Sequence, residues 1–243
     1  MMAVGPFANP ATRNGRRCWI YCLVMIVAAP RVVVANIMSE PGRVFAVLPA
    51  AGASQRMRTQ KLLLPWGATT VLNTVLRQWT SSMVERVVVV IRREEPRLLE
   101  ICHGWDVDVV EVDKTPEMKD TIRLALDWIS TTYAPESDDA WMLAPADMPR
   151  IRPELISAVA TTGFVAPQTI TRPQVGRRKG HPVFFPWSCA TEVAELAEGQ
   201  GVNAIVNRQP CRHVDTVDQG ALQDLDTPEQ YARLRPYTPS DES

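Results

Sequence analysis

From Arg43 onward, runs of consecutive apolar residues alternate with stretches in which apolar residues recur every three or four positions. The first pattern belongs to strands buried on both faces, the second to helices with one face on a core. Residues 44–48 are an unbroken apolar run, as are those that follow Arg86 in 86–91 (RVVVVI), and both segments predict buried strands. Residues 107–112 and 140–144 predict two more, and 164–167, 181–185 and 213–217 predict short ones. Between them, residues 69–79 carry Val71, Leu72, Val75, Leu76 and Trp79 at helical spacing, and 118–129 repeat it with Ile122, Leu124, Ala125, Trp128 and Ile129. Shorter helices are predicted over 97–102, 153–160 with Pro153 in the first turn, 188–197 and 227–234. Strands alternating with helices predict an α/β fold, doubly wound around a mostly parallel sheet. Residues 171–179 (TRPQVGRRK) are polar, basic and interrupted by Pro and Gly, and predict an exposed loop.

The first forty residues follow a different pattern. Arg13, Arg16 and Arg17 precede an apolar run over 18–29, which Pro30 and Arg31 interrupt. Basic residues before a short apolar stretch resemble a secretory signal, and the run is too short to span a bilayer. Met38 opens a segment leading straight into the first strand, so the favoured expectation is a start there, with the upstream stretch a mis-assigned start or a disordered extension. The expected organisation is an extension over 1–40, a single domain over 41–236 and a polar tail over 237–243.

Composition narrows the function classes. Hydrophobic residues make up 46% of the 243 and charged residues 22%, ordinary for a chain with a packed core. With 26 basic and 27 acidic side chains the net charge is -1, so no whole-molecule field draws in nucleic acid or an anionic membrane. Small anions remain open as ligands. The five cysteines are scattered without a CxxC, which argues against a disulfide framework or zinc site and suits the cytoplasm. With three histidines, a mechanism that needs a histidine cluster lacks parts.

Ligands of open α/β sheets sit at the carboxyl ends of strands. The first predicted strand runs into Pro49 and then Ala50, Ala51, Gly52 and Ala53, small residues that let backbone approach a ligand closely. Gly52 is free to take positive φ. Arg56, Arg58 and Lys61 follow within one short segment. Free N–H groups followed by cations form an anion cradle. The same residues also suit a solvated turn before a helix, and the segment is neither a Walker loop nor a dinucleotide fingerprint. At the end of the strand over 140–144, Asp147 precedes Met148 and Pro149, in place for a metal ligand at the same sheet edge.

The segment PAAGASQRMRTQK resembles the signature loop of the MobA-like nucleotidyltransferases, through Pro49, Ala50, Ala51, Gly52, Ser54, Arg56, Met57 and Lys61. APADMP, with Asp147 and Pro149, resembles that family's metal-binding turn; KGHPVFF resembles its G-x-P strand; LQDLDTPEQYARL resembles its D-I-D-T-P-E-D-Y ending. The four lie in the family's order and span about residues 44–234. Within the family, Pro-Ala-Ala-Gly and Asp-Met-Pro are most similar to the molybdenum cofactor cytidylyltransferases.

The resemblance implies a Rossmann-like, GT-A-like nucleotidyltransferase domain that moves CMP from CTP to a phosphorylated pterin with release of pyrophosphate. It implies Mg²⁺ as cofactor, held by Asp147 and by Asp226 as a second ligand. Asp226 also suits a helix start, with Thr227 as N-cap and Pro228 at the first position. Lys61 and Arg56 take the phosphate charges, and Gly52 and Ala53 supply N–H groups beside Ala50, Ala51 and Ser54. Thr121 stands for the serine of the family's G-M-S-x-S-L helix start, with Glu117 at its glycine, and His181 stands beside the phosphates. Asp224 is a lesser metal candidate, and Arg177, Arg178 and Lys179 are candidates for the acceptor phosphate. Arg58 and Ala146 replace glycines of the family pattern. Three alternatives remain open: GTP or another nucleotide, another small acceptor, and a non-catalytic module that carries the cofactor to a molybdoenzyme.

Overall fold

The structure, a computed structural model, describes residues 42–52, 57, 59–113 and 117–236. Contacts divide the chain into Met1–Ser39 and Glu40–Ser243, and all described residues lie in the second unit. The expected extension over 1–40 and tail over 237–243 lie outside the described residues, as do Ala53, Ser54, Arg56 and Arg58.

The strands are β1 (Val44–Pro49), β2 (Pro65–Trp66), β3 (Thr69–Thr70), β4 (Arg86–Arg92), β5 (Asp108–Val112), β6 (Ala140–Leu143), β7 (Ile170–Val175), β8 (Arg178–Lys179), β9 (Val183–Pro186) and β10 (Cys211–Asp215). The helices are α1 (Val71–Thr80), α2 (Pro96–His103), α3 (Met118–Tyr133), α4 (Pro153–Val165), α5 (Cys189–Ala194), α6 (Asn203–Arg208) and α7 (Pro228–Leu234). The main sheet runs β10-β7-β9-β6-β1-β4-β5, with β8 paired to β7. The pairs β6–β1, β1–β4, β4–β5 and β7–β10 are parallel, and β9 is antiparallel to both its neighbours. The fold is therefore α/β, with a mostly parallel sheet flanked by helices, in which β9 and the short β8 are reversed.

The unbroken apolar runs are buried on both sides because alternate side chains feed two cores. Ala46, Leu48, Val87, Val89, Ile91 and Met142 pack with Leu72, Leu76 and Trp79 of α1, Leu98 of α2 and Ile156 and Val159 of α4. Phe45, Val47, Val88, Val90 and Trp141 pack on the other face with Ile122, Ala125 and Ile129 of α3 and with residues of α5 and α6. Each Val, Leu, Ile, Phe or Met among them contributes about 1.5–3 kcal/mol on burial, so the central strands fix the fold. The starts of β4 and β5 are tied by Arg86, whose guanidinium donates to Asp108 at 3.1 Å, and the Tyr133 hydroxyl donates to the same carboxylate at 2.7 Å.

Two expectations are corrected. Residues 164–167 are not a strand: Phe164 and Val165 end α4, which runs five residues past the expected 160. Gly163 lets this helix lie on β9, since a Cβ there would come within 2.6 Å of the Phe184 ring. The expected loop over 171–179 is instead the hairpin β7–β8, turning at Gly176 with φ 61°. Arg172, Pro173 and Gln174 hide the strand from a hydrophobicity reading, yet backbone pairing to β9, β10 and β8 holds it. The short hairpin β2–β3 and helix α6 carried too few apolar residues to be foreseen.

Candidate functional site

The carboxyl ends of β1 and β6 share one edge of the sheet with the amino end of β9, because Leu143 pairs with Val183. The loops at this edge are locked to one another by backbone. The Pro49 carbonyl accepts from Ala146 N–H at 3.3 Å, and Leu225 N–H donates to the Asp147 carbonyl at 3.2 Å.

After β1 the chain offers less than the small residues suggested. The Ala50 N–H donates to the Val90 carbonyl at 2.8 Å and continues the ladder, so Ala50 can shape a ligand cradle but cannot donate to it. Ala50 and Ala51 are buried, whereas Gly52 is exposed. The N–H groups of Ala51 and Gly52 have no partner among the described residues. Gly52 does not use the left-handed region, which among the described glycines occurs at Gly67, Gly176 and Gly199. A Cβ on Gly52 would meet nothing within 4 Å, so its backbone borders open space.

Lys61 opens a 3₁₀ turn, Lys61–Leu63, seated by buried Leu62. The turn is tied back by Val71 N–H to the Leu64 carbonyl at 3.0 Å, at the start of α1. Beside it, Gln60 Nε2 donates to Glu95 at 2.8 Å, linking this segment to the loop after β4.

From that turn the Lys61 ammonium reaches two carboxylates at once: it contacts Asp147 Oδ2 and lies 3.2 Å from Asp226 Oδ1. Asp147 is buried in a loop of buried neighbours, Ala144, Ala146, Met148 and Ile151. Its second oxygen, Oδ1, is buried with no hydrogen-bond partner among the described residues. Burial raises the Asp147 carboxyl above its ordinary range; Lys61 opposes the rise, and Asp224 and Asp226 add to it. For Lys61, burial works against the charge, but the contacts with Asp147 and Asp226 outweigh it and raise the ammonium. Ala146, where the family pattern has glycine, is buried and keeps negative φ, so its Cβ imposes no backbone strain.

Asp226 does not cap the following helix. That role belongs to Thr227, whose side chain accepts from Gln230 N–H at 3.3 Å. In return Gln230 Oε1 accepts from the Asp226 and Thr227 N–H groups at 2.8 and 2.9 Å. Gln230 thus fixes the backbone of Asp226 while leaving its carboxylate aimed at Lys61. Sequence reasoning passed over Gln230, although Thr-x-x-Gln is the spacing of a capping box.

His181 is held by its N–H to the Ala221 carbonyl at 2.9 Å and by Nδ1 at 3.3 Å from the Leu143 carbonyl. Burial lowers its imidazole, against the opposing effects of Leu143, Asp147 and Asp224. Thr121 is buried at the start of α3, on the opposite face of the sheet from α1. Glu117 caps α3 through a reciprocal pair with Asp120. Among the described residues no three His, Cys, Asp or Glu gather as a metal site, so Asp147 and Asp226 are a two-carboxylate set. Mg²⁺ is commonly held by one or two protein carboxylates with water and substrate phosphate completing the shell. The donor set fits such an ion: both oxygens are hard, both already converge on one cationic nitrogen, and Asp147 Oδ1 has unused acceptor capacity.

The family described as MobA-like NTP transferase domain matches residues 46–215. No curated protein sequence matches the chain. The solved Rv0371c homologue from Mycobacterium sp. strain JC1 has a TM-score of 0.68 and 26% identity, covering 79% of this chain and 94% of its own. Rv0371c from Mycobacterium tuberculosis H37Rv, solved in complex with manganese, has a TM-score of 0.66 and 23% identity over 80% and 98%. CMP:2-keto-3-deoxy-manno-octonic acid synthetase complexed with CTP has a TM-score of 0.62 and 13% identity over 80% and 97%.

Proposed function

The chain belongs to the family of MobA-like NTP transferase domains, and we propose that within it this protein transfers CMP from CTP to a molybdopterin-type phosphate, releasing pyrophosphate. The observation that carries the proposal is the convergence of Asp147 and Asp226 on the Lys61 ammonium at the ligand edge of the sheet.

The chemistry needs little covalent help. The attacking oxygen belongs to a phosphate that is already an anion, so no general base is required. It bonds to the α-phosphorus of CTP as the bond to the bridging oxygen breaks, and pyrophosphate leaves with the electron pair. The barrier comes from bringing two polyanions together. Unit charges 4 Å apart interact by about 4 kcal/mol at an effective dielectric of about 20, and several such pairs meet here. Lys61 and Arg56 supply fixed positive charge, and the N–H groups of Ala51, Gly52 and Ala53, with Ser54, cradle the triphosphate. Asp147 and Asp226 hold Mg²⁺, and Gln230 keeps Asp226 in place. When bound, the ion supplies the charge that screens the triphosphate and steadies the leaving group. Thr121 borders the nucleotide from α3, and His181 shapes the acceptor side. Structural relatives solved with manganese and with CTP are compatible with this pairing.

The catalytic unit spans 41–236, flanked by an extension over 1–40 and a tail over 237–243. The reaction runs in the cytoplasm, where CTP is made, and delivers the product to a molybdoenzyme; no helix of the described residues is long and apolar enough to cross a membrane. The test is pyrophosphate release by the full chain with Mg²⁺, molybdopterin-type cofactor and each of the four ribonucleoside triphosphates in turn. Release with CTP is expected. A preference for GTP would move the protein to the guanylyltransferase reading, and release with none would remove the catalytic claim.

A further inference from the structure

Lys61 and Asp226 come from segments 165 positions apart in the chain, yet their charged groups lie 3.2 Å from each other. Backbone bonds account for one half of that meeting. Leu225 N–H reaches the Asp147 carbonyl at 3.2 Å, and Gln230 holds the Asp226 N–H at 2.8 Å, so the two carboxylates share one rigid support. Neither bond touches the segment that carries Lys61.

Tyr231 supplies the other half. Its hydroxyl donates to the Pro65 carbonyl at 2.6 Å, four residues beyond Lys61. Its ring lies 6.3 Å from that of buried Trp66, tilted at 50°. Pro65 and Trp66 form β2, which leads on from the Lys61–Leu63 turn and pairs with β3. On its own side, Tyr231 closes the first turn of α7, with its N–H donating to the Thr227 carbonyl at 3.0 Å. Gln230 and Tyr231, adjacent on one helix, therefore grip the two sides of the Lys61–Asp226 pair. A hydrogen bond from a hydroxyl to a carbonyl is directional, so it sets a spacing that ring packing alone does not.

We propose that Tyr231 is a positioning residue: through Pro65 it fixes the Lys61 turn against α7, so that the ammonium meets the nucleotide triphosphate beside the carboxylate pair. The proposal rests on the nucleotidyl-transfer reading above and adds to it a residue that acts through Lys61 rather than on substrate. Its consequence differs for the two ligands of the site. A triphosphate needs the ammonium held in place, so loosening the turn weakens it. A divalent ion needs Asp147 and Asp226, which Leu225 and Gln230 hold whether or not the Lys61 turn is tied. A general loosening of the fold would weaken both.

The experiment uses the full chain and Tyr231→Phe, which keeps the ring against Trp66 and removes the bond to Pro65. Mg²⁺–CTP affinity by calorimetry should weaken about three- to tenfold, the effect of one hydrogen bond. Mn²⁺ affinity without nucleotide, read by electron paramagnetic resonance, should stay within about twofold of wild type. In a Lys61→Gln background, adding Tyr231→Phe should weaken CTP by less than about twofold, since the group it positions is gone. Tyr133→Phe removes a comparable hydroxyl contact at the opposite end of the strands and should change neither affinity. Unchanged CTP affinity in Tyr231→Phe would overturn the assignment, as would a wild type that binds neither CTP nor GTP. Equal weakening of CTP and Mn²⁺, or an undiminished effect in the Lys61→Gln background, would overturn it too. The expected pattern with GTP in place of CTP would keep the positioning role and remove the cytidylyl specificity. The expected pattern without pyrophosphate release when acceptor is supplied would keep the role and remove the reaction.

Discussion

Replacing Asp147 by Asn separates a functional carboxylate from a structural one. The Asp147 side chain is 8% exposed and Lys61 17% exposed, so the pair sits largely out of water. One Asp147 oxygen meets Lys61, the other has no partner among the described residues, and Asp224 and Asp226 add repulsion. The raised carboxyl means that burial and repulsion outweigh Lys61, so the ionised group costs the fold stability. Asparagine keeps the shape, removes the charge and leaves Lys61 its contact with Asp226. Removing one partner of a buried pair commonly costs about 3–5 kcal/mol by stranding the other charge, but here Lys61 keeps Asp226. With that contact kept and the repulsion from Asp224 and Asp226 relieved, the change should stay within about 1 kcal/mol, or a Tm within about 2–4 °C of wild type for a domain of this size. Activity should fall. Loss of one aligned electrostatic contact commonly costs about 10²–10³ in kcat, and kcat/KM for CTP should fall by at least that lower figure. Thermal unfolding in chelator and steady-state pyrophosphate release on the same preparation provide both numbers. A variant that keeps activity within about threefold of wild type, or whose Tm drops by more than about 5 °C, would refute the reasoning.

Lys61→Ala should lower stability. It strands the buried Asp147 carboxylate, at about 3–5 kcal/mol by denaturant titration, and added Mg²⁺ or Mn²⁺ should recover part of that loss; a variant as stable as wild type in chelator would contradict the pairing. Gly220→Ala places a Cβ 2.1 Å from the Arg150 carbonyl oxygen and should cost about 1–3 kcal/mol, since neither backbone can yield alone; an unchanged Tm would show the turn to be loose. Tyr133 is pushed up from 10.0 to about 12 by burial and by its hydroxyl contact with Asp108. A raised acid is a stabilising contact in its protonated form, present below the unfolded pKa and lost as pH rises through the folded one. The stability difference between wild type and Tyr133→Phe should therefore hold below pH 10 and close toward pH 12, and a difference that stays flat across that window would refute the link.

The sequence made legible what rests on periodicity and on motif. β1, β4 and β6 announced themselves because two-sided burial demands unbroken apolar runs, and Thr227-Pro228 announced the start of α7 because capping is local chemistry. The hairpin β7–β8 stayed hidden because backbone pairing to β8, β9 and β10 holds it, while its own side chains read as polar. At the candidate site, Lys61 and Asp147 could be named from spacing, but not that one ammonium would bridge Asp147 and Asp226, which lie 79 residues apart in the chain. That the Ala50 N–H is used up by Val90 also follows only from the register of β1 against β4. Small residues show where backbone is accessible, and the sheet decides which amides remain to be used.

Reversing β9 changes how this architecture can diversify. In a wholly parallel sheet each strand delivers a single connection to the working rim, and the return path passes beneath. Here a neighbour of β6 begins at that rim, so the segment entering β9 and the one leaving β6 meet there side by side. Lengthening or recoloring the entry to β9 can therefore alter one half of the rim without moving Lys61, whose turn is tied to the start of α1 and to the loop after β4. A scaffold so divided can exchange one guest while keeping the other.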